Sequence, residues 1–134
     1  MAKVLTVGVY DMLHIGHVLL FMKAKELGDE LVVAVQEEDV ILKYKPGTKM
    51  IYSTEERLYM VSSVKYVDKV ITYRDIDTDI QNIEFDIFAK GPDQSHEGFK
   101  KAVEWCEKHG KKVVIIPRTD GISSTLLREY SMNK

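Results

Sequence analysis

The chain has little of what staples or anchors a protein. Its single cysteine, Cys106, cannot form an internal disulfide, so a structural thiol carried on a helix in a reducing compartment is expected. No apolar run approaches the roughly 20 residues that span a bilayer. The opening "MAKVLTVGVY" enters a strand pattern without the apolar core of a signal peptide. These absences predict a cytoplasmic protein with no membrane partner. The formal net charge of −2 lacks the global basicity of a nucleic-acid-binding surface, so no nucleic-acid partner is expected either. The Walker-type phosphate loop and the G-x-G-x-x-G dinucleotide fingerprint are both missing. There is no cysteine pair and no H-E-x-x-H to suggest zinc.

What is present is an ordinary globular composition, 45% apolar and 30% charged over 134 residues, enough to bury a core as one domain spanning 1–134. Short apolar runs rich in β-branched residues at 3–9, 30–35, 67–73, 85–90 and 112–117 predict five strands. Between them, apolar residues three and four apart predict helices around Val18–Leu27, Leu58–Val64 and Phe99–Cys106. Continuously apolar strands alternating with helices have both faces covered, the pattern of an α/β, doubly wound, five-stranded parallel sheet. "KYKPGTKMIYST" (43–54) reads as a cationic loop turning at Pro46-Gly47 and ending at Ser53 or Thr54 as a helix N-cap. "GPDQSHEG" (91–98) is a polar stretch after the fourth strand. His96 and His109 are expected to face solvent, and Gly110 to close the helix before the last strand.

Ligands of open parallel sheets bind beyond the carboxyl ends of the strands, where the strand order reverses. The unusual residues follow strand 1 (Tyr10, Asp11, His14, Gly16, His17), strand 4 (Gly91, Pro92, Asp93) and strand 5 (Arg118 to Thr125), all at that end. His14 and His17 lie one turn apart at a helix start, where free N–H groups suit a phosphate and Gly16 lets a ligand approach the backbone. A histidine pair can also bind metal, although the other ligands of a zinc site are missing. In "RTDGISST" (118–125) a glycine turn and three hydroxyls precede an amphipathic helix. Serine and threonine are also ordinary caps. Together the two clusters suggest a polyphosphate lying between two helix N-termini, and nucleotidyl transfer as the chemistry.

"GVYDMLHIGH" and "RTDGISST" resemble the GTFD-x-x-H-x-GH and RTEGIST signatures of the cytidylyltransferase-like nucleotidylyltransferases. That resemblance extends through "AKELGDELVVAV", "YSTEERLYMVSSVKYVDKV" and "FDIFAKGPD", and implies a Rossmann-like fold. It further implies transfer of CMP from CTP, with Mg²⁺, to an alcohol phosphate such as glycerol 3-phosphate, by direct in-line attack without a protein nucleophile. His14, His17, Asp11 and Arg118 would be catalytic: imidazolium charge would steady the phosphates, and Asp11 would organise the site or its magnesium. Val9, Tyr10, Gly16, Asp93, Thr119, Gly121, Ile122, Ser123 and Ser124 would bind the nucleotide. Lys43 or Lys45, Arg57 and Lys65 would receive the acceptor phosphate, and a homodimer is implied. The same machinery serves adenylyl transfer to a flavin or sugar phosphate, or cytidylyl transfer to another polyol or amino-alcohol phosphate. A nucleotide-binding regulatory module is the alternative of another class. The sequence departs from the family at "GPDQSHEG", which replaces an aspartate-rich, tryptophan-containing stretch, and in a longer lysine loop.

Overall fold

The computed structural model describes residues 2–117. The elements run β1 (Lys3–Gly8), α1 (Ile15–Glu26), β2 (Glu30–Gln36), α2 (Glu38–Tyr44), α3 (Thr54–Ser62) and β3 (Lys69–Tyr73). Then come α4 (Ile76–Asp79), a 3-10 turn at Ile80–Asn82, β4 (Ile87–Lys90), α5 (Glu97–Lys108) and β5 (Lys112–Ile115). The five strands form one sheet in the order β3-β2-β1-β4-β5, every neighbouring pair parallel. The chain winds outward from β1 through β2 to β3, then returns to place β4 on the other side of β1. The strand order therefore reverses between β1 and β4, and a crevice opens beyond their carboxyl ends.

Side chains that alternate along the strands divide the core between two faces. On one face Val4, Leu31, Val33 and Val35 pack with Phe21 and Ala24 of α1 and Val61 of α3. On the other, Leu5, Val7, Ala34 and Phe88 pack with Phe99, Ala102 and Cys106 of α5. Cys106 is thus a core residue, and burial raises its thiol to about 11. His96 and His109 are exposed, as expected; His96 caps α5 by accepting the Gly98 N–H at 3.1 Å. Gly110 follows α5 at φ +71°, in the left-handed region that suits glycine.

Ser53 is the cap of α3. Its hydroxyl accepts the Glu56 N–H at 3.1 Å, while the Glu56 carboxylate accepts the Ser53 N–H at 2.9 Å. Two helices were not foreseen, α2 and the single-turn α4. "EDVILKY" folds as α2, with Glu38 and Asp39 at its positive end and Val40 and Ile41 buried. Its apolar stripe is too short to show a period beside the lysine-rich loop. Strands β3 and β4 each begin two residues later than the apolar runs at 67 and 85, because Val67 and Phe85 pack into the core without joining the ladder.

Candidate functional site

At the mouth of β1 the backbone makes a turn that few side chains tolerate. Tyr10 has φ +56°, a strained value for an aromatic residue, and its ring lies so close over Gly8 that a Cβ there would meet it at 2.6 Å. The buried ring stands edge-on to His17, with centroids 5.3 Å apart, and edge-on to Phe21 at 5.3 Å. Burial raises the Tyr10 hydroxyl far above its ordinary value, so it stays protonated.

His14 and His17 then start α1 in an unusual way. The Gly16 N–H donates to His14 Nδ1 at 3.0 Å, and the His14 N–H donates to His17 Nδ1 at 3.1 Å. The two rings form a reciprocal capping box, a task that serine and glutamate perform for α3. Because each Nδ1 accepts a backbone N–H, the neutral proton must sit on Nε2. Desolvation, reinforced by the His14 ring at a centroid distance of 4.0 Å, drives His17 down to about 4; burial also lowers His14. Both rings are therefore neutral at physiological pH. In the ligand-free chain the two rings offer Nε2–H donors rather than imidazolium charge.

These rings line a cavity of about 430 Å³ with Val9, Tyr10, Gly16 and Asp93. The structure thus brings together most of the first-cluster nucleotide residues. Arg118, Thr119, Gly121, Ile122, Ser123 and Ser124 lie outside the described residues. Lys23 and Gln94 are among the lining residues not foreseen from sequence. Lys23 shares a face of α1 with Gly16 and Leu20, at the helical spacing that could have revealed it. Gln94 donates its side-chain N–H to the Val7 carbonyl at 2.7 Å and accepts the Gly91 N–H at 3.2 Å, tying the loop after β4 to β1.

A second cavity of about 640 Å³ adjoins the first and shares Gly8, Val9, Asp93 and Gln94 with it. Lys45 lines it, while Lys43 is exposed on the last turn of α2 and lines neither cavity. Lys65 is elsewhere. The helix α3 carries the chain back to the amino ends of the strands, where Asp68 accepts the N–H of Leu31 near the start of β2. Lys65 is thus at the opposite edge of the sheet from the histidines, and this chain's fold removes it from the acceptor group.

Arg57 also differs from expectation. Arg57 has 0% exposure, and its guanidinium donates to the carbonyls of Val9 (2.9 Å) and Gln36 (2.7 Å) rather than reaching into a cavity. The Asp11 carboxylate accepts the Ile51 N–H at 3.0 and 3.1 Å and the Tyr52 N–H at 2.9 Å, latching the loop before α3 to the turn after β1. Asp11 thus organises the site through the loop amides. Among the described residues no three histidine, cysteine, aspartate or glutamate side chains converge to hold a metal ion.

The family model described as cytidylyltransferase-like matches residues 5–130. The chain belongs to the cytidylyltransferase-like family. Among its relatives, glycerol-3-phosphate cytidylyltransferase of Bacillus subtilis (strain 168) is 37% identical over 132 residues, 96% of each chain. An FAD synthase of Aciduliprofundum boonei is 38% identical over 120 residues, 87% of this chain and 77% of that one. In structure, the lipopolysaccharide core biosynthesis protein of Thermoplasma volcanium GSS1 superposes with a TM-score of 0.72 at 30% identity, covering 89% of this chain and 97% of the other. This cytidylyltransferase-like chain is therefore a Rossmann-like α/β protein whose relatives are nucleotidyltransferases. No helix among its described residues is long and apolar enough to cross a membrane.

Proposed function

We propose that the protein transfers CMP from CTP to an alcohol phosphate, with glycerol 3-phosphate the first candidate acceptor, releasing pyrophosphate. The observation that carries this reading is the histidine pair, one helical turn apart, lining the first cavity at the N-terminus of α1 with each Nδ1 taken by a backbone N–H, which leaves the Nε2–H groups as donors. Two directed donors beside a helix N-terminus suit the oxygens of a phosphate chain. The relatives named glycerol-3-phosphate cytidylyltransferase, matched along nearly the whole chain, favour cytidine and this acceptor.

The acceptor's phosphate oxygen attacks the α-phosphorus in line, forming the new P–O bond as the bond from that phosphorus to the β-phosphate bridging oxygen breaks. Pyrophosphate leaves with the electron pair. A phosphate anion needs no deprotonation to attack, so the chain's task is to align two anions and steady charge on the oxygens. In this reading His14 and His17 donate to those oxygens, and Lys45 receives the acceptor phosphate in the second cavity. Arg118, Ser123 and Ser124 hold the far phosphates. Mg²⁺ is proposed to arrive with the triphosphate substrate, and no step here runs through it. A cytoplasmic homodimer is the assembly proposed with this reading.

The FAD synthase relatives favour a second reading, adenylyl transfer to a flavin phosphate. A matrix of the four nucleoside triphosphates against glycerol 3-phosphate, other polyol phosphates, amino-alcohol phosphates and FMN, with pyrophosphate release as the readout, separates the two. CTP with an alcohol phosphate is the expected productive pair. Turnover with ATP and FMN alone would replace it, and no turnover with any pair would overturn both.

A further inference from the structure

Among the described residues, the largest side chain without solvent exposure is a cation. Arg57 is 0% exposed. One nitrogen, Nη1, donates to both the Val9 carbonyl (2.9 Å) and the Gln36 carbonyl (2.7 Å). Nε reaches the Tyr52 carbonyl at 3.4 Å, and Nη2 the Thr54 hydroxyl at 3.2 Å. None of these partners carries a charge, and none of the ion pairs among the described residues includes Arg57. Buried charges are ordinarily paired, because an unpaired one forfeits its hydration without a counter-charge. Burial indeed lowers the Arg57 pKa, with Asp11 and Glu38 acting against it from farther off, yet a guanidinium keeps its proton in proteins. The Asp11 carboxylate is itself held by the loop amides.

The position of this charge gives it a use. Val9, whose carbonyl it bonds, lines both cavities, and Gln36, whose carbonyl it also bonds, lines the second. The guanidinium therefore lies behind the wall that the two cavities share. The histidines at the front of that wall are neutral, so they direct hydrogen bonds without supplying formal charge. A charge enclosed by protein is screened far less than one on a mobile surface lysine.

We propose that Arg57 is a positioning residue that acts on phosphates without touching them, fixing the Val9–Tyr10 turn and placing a positive charge that makes no close ion pair behind both cavities. The proposal rests on the cavities taking phosphorylated ligands, as the proposed function holds. It departs from the contact role expected for Arg57 from sequence. A residue that only held the fold would weaken every ligand alike. A residue acting through its charge weakens ligands in proportion to theirs.

The test uses the full chain, with melting curves to confirm folding. Binding of CTP, CDP, CMP and cytidine, and of inorganic tripolyphosphate and monophosphate, is measured for the wild type, Arg57→Gln and Arg57→Lys. In Arg57→Gln the loss should grow with ligand charge, reaching at least tenfold more for the triphosphate than for cytidine, with the same order among the inorganic ions. The Lys variant keeps the charge but not the planar fork, and should keep most of the preference for triphosphate. Equal losses for charged and uncharged ligands in folded Arg57→Gln would overturn the proposal. Should that variant fail to fold, loss of the triphosphate preference in folded Arg57→Lys would overturn it instead. A wild type that binds tripolyphosphate but no nucleoside triphosphate would sink the nucleotidyl-transfer reading while the inorganic series still tests Arg57.

Discussion

His17 caps the backbone of His14: its Nδ1 accepts the His14 N–H at 3.1 Å, and the two rings lie tilted together with centroids 4.0 Å apart. The arrangement joins a structural duty to a chemical one in the same two side chains. It also forbids protonation of either Nδ1 without loss of a cap.

That linkage makes stability pH-dependent. The His17 pKa falls from an ordinary 6.5 in the unfolded chain to about 4 in the fold, so below 6.5 the unfolded chain binds a proton that the native chain refuses. Stability from this group is full above 6.5 and is lost as the pH falls from there toward 4. Chemical denaturation should show a lower unfolding free energy at about pH 5 than at neutral pH, and His17→Gln should reduce the difference, the rest coming from His14, whose pKa burial also lowers. Asp39 and Asp68, held low by Arg74 and Lys25, lose their share at still lower pH and do not confuse the comparison.

The two duties can be separated by substitution. Asparagine is a good N-cap and glutamine suits the third position of a capping box, so His14→Asn and His17→Gln should stay within about 1 kcal/mol of wild-type stability. Each loses an imidazole donor, and turnover in the proposed reaction should fall about 100-fold. Nucleotide affinity should change far less, because a contact that strengthens in the transition state shows mainly in kcat. Steady-state kinetics beside direct nucleotide binding is the check, and affinity lost with turnover intact would contradict it.

Asp11 should behave as a latch. Asp11→Asn retains an oxygen for the Ile51 and Tyr52 amides and should leave the magnesium dependence of turnover unchanged. Asp11→Ala frees the loop that follows Lys45, and should raise KM for the acceptor more than KM for the nucleotide. A magnesium titration of both variants decides the matter: a large rise in the magnesium requirement of Asp11→Asn would restore Asp11 as a metal ligand.

Gly8→Ala should destabilise the protein by about 1–3 kcal/mol, the range for overpacking a filled site. The new methyl would meet the Tyr10 ring at 2.6 to 3.0 Å, and that ring is held by His17 and Phe21. Thermal unfolding measures the loss, and a melting temperature equal to wild type would show that Tyr10 can move aside.

Much of the architecture was legible because parallel strands are covered on both faces and carry runs such as "LVVAV" that have few other homes. The convergence of His14, Gly16 and Asp93 was legible for a similar reason: in a parallel sheet every strand delivers its following loop to the same edge. What escaped the sequence depends on partners far along the chain. Nothing near Asp11 announces that amides 40 and 41 residues later will occupy its carboxylate. Arg57 was expected to receive the acceptor phosphate, and only the carbonyls at the ends of β1 and β2, remote in sequence, explain its burial. Lys65 was grouped with the site by the family resemblance, although α3 carries it to the other end of the sheet. The helix α2 was too brief for its period to stand out.

Gly8, Val9, Asp93 and Gln94 border both cavities, so they form a partition between two chambers. In the proposed reaction each substrate would occupy one side, and the product would be a single molecule resident on both. A covalent mimic that spans the partition should gain affinity by tethering, since docking one half raises the local concentration of the other.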